Sequence, residues 1–168
     1  MAAEILSKSD TAITWAEADG DYDMTIDLLA TLAAGQGAKG DLGATRAPSY
    51  SVELMIDTGG TAPTTGETVD LYWAPSNSAT AGTSNPGGTS GTDAAYTGIG
   101  SATVAESVVE LQSIGSLTCV DETHTNLRQY FTFTPQARFG MPVVVNSTSQ
   151  TLGVGSTITL TPIIPIVQ

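Results

Sequence analysis

Ser51-Val-Glu-Leu-Met-Ile-Asp57 decides the fold class. Extended, it puts Val52, Leu54 and Ile56 on one face and Ser51, Glu53 and Asp57 on the other, the period-two pattern of a half-buried strand. Glu67 to Trp73 repeats the pattern, with Val69, Leu71 and Trp73 opposite Thr68, Asp70 and Tyr72. Arg128 to Thr134 sets Phe131 and Phe133 against Tyr130, Thr132 and Thr134, and Thr157 to Thr161 sets Ile158 and Leu160 against three threonines. Further strand candidates are Thr11 to Trp15, Met24 to Leu32, Val108 to Leu117 and Pro142 to Asn146. A short helix competes over Met24 to Ala34, where Ile26, Leu28, Leu29 and Leu32 also fit a helical stripe. A second helical possibility covers Val104 to Leu111. About eight strands divided by Gly, Pro, Asn and Ser predict an all-β chain with at most one short helix: an antiparallel β-sandwich, with a jelly roll the leading version.

Composition agrees. The chain has 168 residues, enough for one domain, expected over residues 11–168 behind an N-terminal arm of residues 1–10. Only 13% of residues are charged, and Thr, Ser and Gly supply the polarity that Lys and Glu would supply in a helical bundle. Seventeen acids against five bases give a net charge of −12, which argues against nucleic acid as a partner, since phosphate contacts need clustered Lys and Arg. No run approaches the roughly 20 apolar residues of a membrane span. Glu4 stands where a secretory leader would carry positive charge, and no apolar stretch follows it. Cys119 has no partner in the chain, so a free buried thiol and a reducing cytoplasm are expected. In that setting Asn146-Ser-Thr148, a glycosylation pattern by letter, carries no meaning.

Motifs for chemistry are few. Asp19-Gly-Asp-Tyr-Asp23 has the alternating oxygens that open a calcium loop, but Met24 stands where that loop needs Gly and Ala30 where it needs Glu. Gly35-Gln-Gly-Ala-Lys-Gly40 matches a dinucleotide fingerprint by letter. No helix can start in the following Asp41-Leu-Gly-Ala-Thr-Arg-Ala-Pro48, so the glycines read as a connection between strands. His124, the one histidine, lies in the polar Asp121-to-Asn126 stretch and reads as a turn residue, with no nucleophile motif anywhere to serve. The reading is non-enzymatic, with no catalytic residues, no cofactor and no metal.

Two stretches suggest contacts instead. From Leu71 through Ala105 the only charged residue is Asp93, and Pro75 to Thr103 is a long neutral loop that can be laid on a partner at little desolvation cost. Asn85, Pro86 and Tyr96 in this loop, with Ala2 and Ile5 in the arm, are the candidate partner-binding residues; removal of residues 82–92 is expected to leave the fold intact. Between Ser9 and Ala38 lie Asp10, Glu17, Asp19, Asp21, Asp23 and Asp27 and no base, a solvated acidic face or one that docks on a basic surface.

Particular runs resemble small virion structural proteins of tailed bacteriophages. They are Gln36-Gly-Ala-Lys-Gly-Asp-Leu-Gly-Ala-Thr-Arg46, Val69-Asp-Leu-Tyr-Trp-Ala-Pro75 and Asn85-Pro-Gly-Gly-Thr-Ser-Gly-Thr-Asp-Ala-Ala-Tyr96, then Phe133-Thr-Pro135, Arg138-Phe-Gly140, Val143-Val-Val-Asn146 and Leu160-Thr-Pro-Ile163. The resemblance is to head decoration (cement) proteins. It implies a single jelly-roll or sandwich domain, often trimeric, bound to the major capsid protein on the capsid surface, stabilising the head after assembly in the bacterial cytoplasm. Rival expectations are another virion component (head–tail, tail or fibre) and a carbohydrate-binding sandwich stacking sugars on Tyr72 or Tyr96.

Overall fold

A computed structural model of the chain describes residues 5–120, 123 and 125–167. The first half runs through β1 (Ile5–Ser9), β2 (Ile13–Ala16), β3 (Tyr22–Asp23), β4 (Ala34–Gln36), β5 (Gly40–Asp41), β6 (Ser49–Asp57) and β7 (Thr68–Ser76). After β8 (Ala94–Ala95) and the single turn of helix α1 (Val104–Ser107) come β9 (Gln112–Thr118), β10 (Asn126–Phe133), β11 (Phe139–Ser147) and β12 (Thr157–Val167).

The strands form two sheets: β10-β6-β12-β2-β3, with β1 also on β12, and β8-β4-β11-β7-β9, with β5 also on β11. Their pairing is nested. Ile158 faces Trp15, Val143 faces Gln36, Phe133 faces Tyr50, and Thr118 faces Thr68, all antiparallel. The chain is therefore one long ribbon folded back near its middle and rolled up, so that successive strand pairs fall in alternate sheets. This is the jelly-roll topology.

The predicted alternation holds where it was strongest. In β6, Tyr50, Val52, Leu54 and Ile56 are at most 1% exposed, and in β7 Val69, Leu71 and Trp73 are fully buried. Trp15 of the first sheet meets Trp73 of the second edge-on at 5.5 Å, and Phe133 continues the aromatic line. The glycine run 35–40 takes in the end of β4, the three-residue connection 37–39 and the start of β5, with both strands on β11. A β-carbon on Gly40 would stand 2.4 Å from the Trp15 ring, and one on Gly37 2.8 Å from it, so these glycines make room for an indole rather than for a phosphate. Cys119 is buried and unpaired, and burial pushes its thiol pKa up.

Met24 to Leu32 forms neither strand nor helix. Met24 and Ile26 point into the core, while Leu28 and Leu32 turn outward with φ of 62° and 58°. A distant residue sets this course: the fully buried Asn146 amide donates to the carbonyls of Leu29, Ala30 and Gln150, giving the segment partners that regular structure would otherwise provide. That Asn is thereby committed internally, whatever its sequence pattern. Val104 to Leu111 does start helically, with Thr103 and Glu106 forming a capping box, and passes through a 3-10 turn before β9 begins at Gln112, later than the predicted Val108.

The expected N-terminal arm enters at Ile5 as β1, paired with Ile163–Val167 of β12. Strand β12 carries two prolines. The Asp10 N–H donates to the Pro162 carbonyl at 3.3 Å, so Pro162 aims its missing donor at the gap between β1 and β2. By alternation Pro165 aims its own at the opposite edge, which β6 leaves unpaired beyond Ser49. A proline there blunts an open edge.

Gly40→Ala is expected to lower stability by about 2–3 kcal/mol through overpacking against Trp15. Gly82→Ala, with open space around it, should stay within about 0.5 kcal/mol. Urea unfolding followed by tryptophan fluorescence checks both.

Candidate functional site

The long neutral segment is built into the fold. Lys39 Nζ reaches across to it and donates to Ser76 Oγ at 3.0 Å and to the carbonyls of Ser78, Thr80 and Thr83 at 3.2, 2.8 and 2.9 Å. One ammonium thus gathers four oxygens of a chain with no charge of its own there, and partial burial lowers its pKa. Asp93, the lone charge of the loop, accepts the Thr25 N–H at 2.7 Å and its hydroxyl at 2.6 Å. Ser90 N–H is held by the Gln36 side chain, and Gly87 N–H by Glu110.

The candidate contact residues fall within this network. The Asn85 amide donates to Ala81 and Thr89 carbonyls, and the Pro86 carbonyl accepts from both the N–H and hydroxyl of Thr89. Tyr96 is 2% exposed and its hydroxyl donates to the Gly87 carbonyl at 2.6 Å. Its ring offers neither a partner nor a sugar a face to stack on. Burial pushes its phenol pKa up. Ile5 opens β1 opposite Val167; Ala2 and His124 lie outside the described residues. Residues 82–92, whose removal was expected to leave the fold intact, contain acceptors for both Lys39 and Tyr96, which tie the loop to the sheet beneath it.

What the loop covers is the outer face of the second sheet. Ala74, Met141 and Val143 project outward and pack under Tyr96, Val108 and Leu111 as a second apolar cluster. The cover ends part-way along the sheet. Beyond it, Tyr72 and Val145 floor a groove of about 630 Å³ whose walls include Val104, Val109 and Leu32, with Asp70 among its lining residues. Leu32 and Val109 are 80% and 77% exposed, and Leu28 stands 73% exposed four residues before Leu32. Left-handed backbone costs a residue with a β-carbon roughly 1–2 kcal/mol, so two leucines held there in solvent are maintained against both strain and solvation. Burial, then the neighbouring Asp70 charge, push the Tyr72 phenol pKa up.

Sequence reasoning missed this groove. In the sequence Leu28 and Leu32 fit a helical stripe and Pro142 to Asn146 is one strand candidate among several, although its apolar run Val143-Val-Val145 is a sign of burial on both faces. The acidic N-terminal stretch is spread out: Asp21 caps the Thr14 N–H, and Asp27 accepts from Gly155 and Ser156 N–H. A hydrogen bond to Asp27 raises the Glu17 carboxyl pKa. Among the described residues no group of three or more His, Cys, Asp or Glu side chains is placed to hold a metal, and no helix is long and apolar enough to cross a membrane. No protein-family model matches the chain, and no curated protein does.

Tyr96→Phe is expected to cost about 1–2 kcal/mol by orphaning the Gly87 carbonyl. Lys39→Met should speed amide exchange across residues 76–92 far more than in β6, as read by hydrogen–deuterium exchange.

Proposed function

We propose that this chain is a non-enzymatic virion structural protein of the capsid decoration type, which binds the major capsid protein on the outside of a phage head as a homo-oligomer, most simply a trimer. The observation that carries this reading is an apolar groove beside strained, exposed leucines on a jelly roll. A sandwich with a prepared apolar face has the equipment to bind a surface. The resemblance of residues 36–165 to phage virion proteins supplies the kind of surface. The net charge of −12 favours a partner that is neutral or basic where it is touched.

The mechanism is mass action. A protein that binds the assembled shell and not free capsid subunits stabilises the shell by RT ln(1 + [L]/Kd), about 2.7 kcal/mol per site when its free concentration is 100 times Kd.

Quantitative mass spectrometry of purified virions tests the role. Copies in a fixed ratio to the major capsid protein, near one per subunit or one per local threefold position, are expected. A handful per particle would move the protein to the tail or neck, and absence from particles would overturn the virion assignment.

A further inference from the structure

We infer that the groove on the outer face of the second sheet receives an extended peptide segment of a partner protein, one that places an aliphatic side chain next to a lysine or arginine. The inference rests on the docking role proposed above and names the chemistry of the occupant.

The apolar half of that chemistry follows from shape. The groove, about 630 Å³, lies within the range of sites that enclose a few side chains, and Tyr72, Val104, Val109 and Val145 give it apolar walls and floor. Leu32 forms its rim from a left-handed backbone, φ 58°, and its N–H is tied to the Asn146 carbonyl at 2.8 Å, so its backbone is held at the opening before anything binds. Glycine would take that backbone without strain. A leucine there serves a contact outside the chain, because it makes so little contact within it.

The basic half follows from Asp70, the only charged residue among those lining the groove. Its carboxylate accepts from the hydroxyls of Ser116 and Ser147, both neutral. The described cations with resolved partners are engaged elsewhere: Lys39 in the loop, Arg128 on Glu53, Arg138 on Asp41. Arg46 lines a different hollow, with Pro48 and Pro135. Among the described residues, therefore, no cation stands beside Asp70, and an incoming Lys or Arg supplies the missing charge at the edge of an apolar site, where the pairing is screened less than in open water. A second copy has little to offer this groove: of the chain's five bases, Lys39, Arg128 and Arg138 are already engaged within their own chain.

The test is a titration of the ¹⁵N-labelled full chain with two probes, acetyl-Leu-Arg-Leu-Arg-amide and acetyl-Leu-Glu-Leu-Glu-amide. The basic peptide is expected to shift the amide signals of Leu32, Asp70, Tyr72 and Val109 saturably, at least tenfold more tightly than the acidic one. Asp70→Asn should reduce that preference about fivefold and flatten its salt dependence. Leu32→Gly should weaken binding about tenfold without lowering the unfolding midpoint. Val109→Ser, on the exposed 3-10 turn, serves as a second groove variant should Leu32→Gly fold poorly. Equal binding of the two peptides, shifts confined to other surfaces, or indifference to all three variants would overturn the inference. So would a Leu32-dependent dimer in sedimentation equilibrium without peptide binding, which would make the occupant a second copy. Virion copy number is read separately: hundreds of copies without peptide binding would keep the shell role and remove this groove, whereas peptide binding by a protein absent from virions would do the reverse.

Discussion

Two indoles set between glycines fix the arrangement on which the rest depends. Trp15 and Trp73 come from opposite sheets and meet edge to face at 88°. Each needs a neighbour without a side chain: Gly37 and Gly40 beside Trp15, and Gly140 beside Trp73. Trp15 also donates its ring N–H to the Ala38 carbonyl at 2.8 Å, in the break between β4 and β5. Because residues alternate along a strand, seating Trp73 inward sends Asp70, Tyr72 and Ala74 outward on β7, and seating Val144 inward sends Met141, Val143 and Val145 outward on β11. The floor of the groove is thus the reverse side of the core. A slip of one residue in β7 would bury Asp70 and expose Trp73, an exchange the sandwich could not survive.

The same geometry accounts for the long loop. A sheet whose outer face presents Ala74, Met141 and Val143 must be covered, and the segment between β7 and β9 is the chain available to cover it. Its neutrality suits that position. Charges laid against an apolar face would lose hydration without gaining partners, whereas Ser, Thr and Asn can satisfy one another's backbone, as the Ser76, Asn85 and Thr89 bonds do. Lack of charge, read from sequence as readiness to dock, reflects instead a loop already docked on its own sheet.

Legibility in the sequence followed the range of the interactions involved. Strands β6 and β7 were readable because their pattern is local and one face is solvated. The nested pairing was not, since Ile158 against Trp15 depends on contacts more than a hundred residues apart that no window contains. The helical possibility over Val104 to Leu111 was readable because a single turn depends on neighbours only; the capping pair Thr103 and Glu106 acts within that turn. Met24 to Leu32 misled because its apolar spacing suits a stripe while Asn146, far along the chain, decides the backbone. For the site, the clue present but unused was Val143-Val-Val145: an unbroken apolar strand in a protein otherwise full of alternation implies cover on both faces, and hence a place where that cover ends.

That boundary has an energetic consequence. Association costs translational and rotational freedom, plus the ordering of whatever is loose at the interface. Here the cover is anchored by Lys39, Asp93 and Tyr96, and Leu32 is already turned outward by its tie to Asn146. The strain is borne in the free protein as part of its folding free energy, so it does not recur when a partner arrives. Ordering then falls almost wholly on the incoming segment. A face prepared in this way meets each incoming segment with the same geometry, so the free energy of contact goes into affinity rather than into ordering the receiving side.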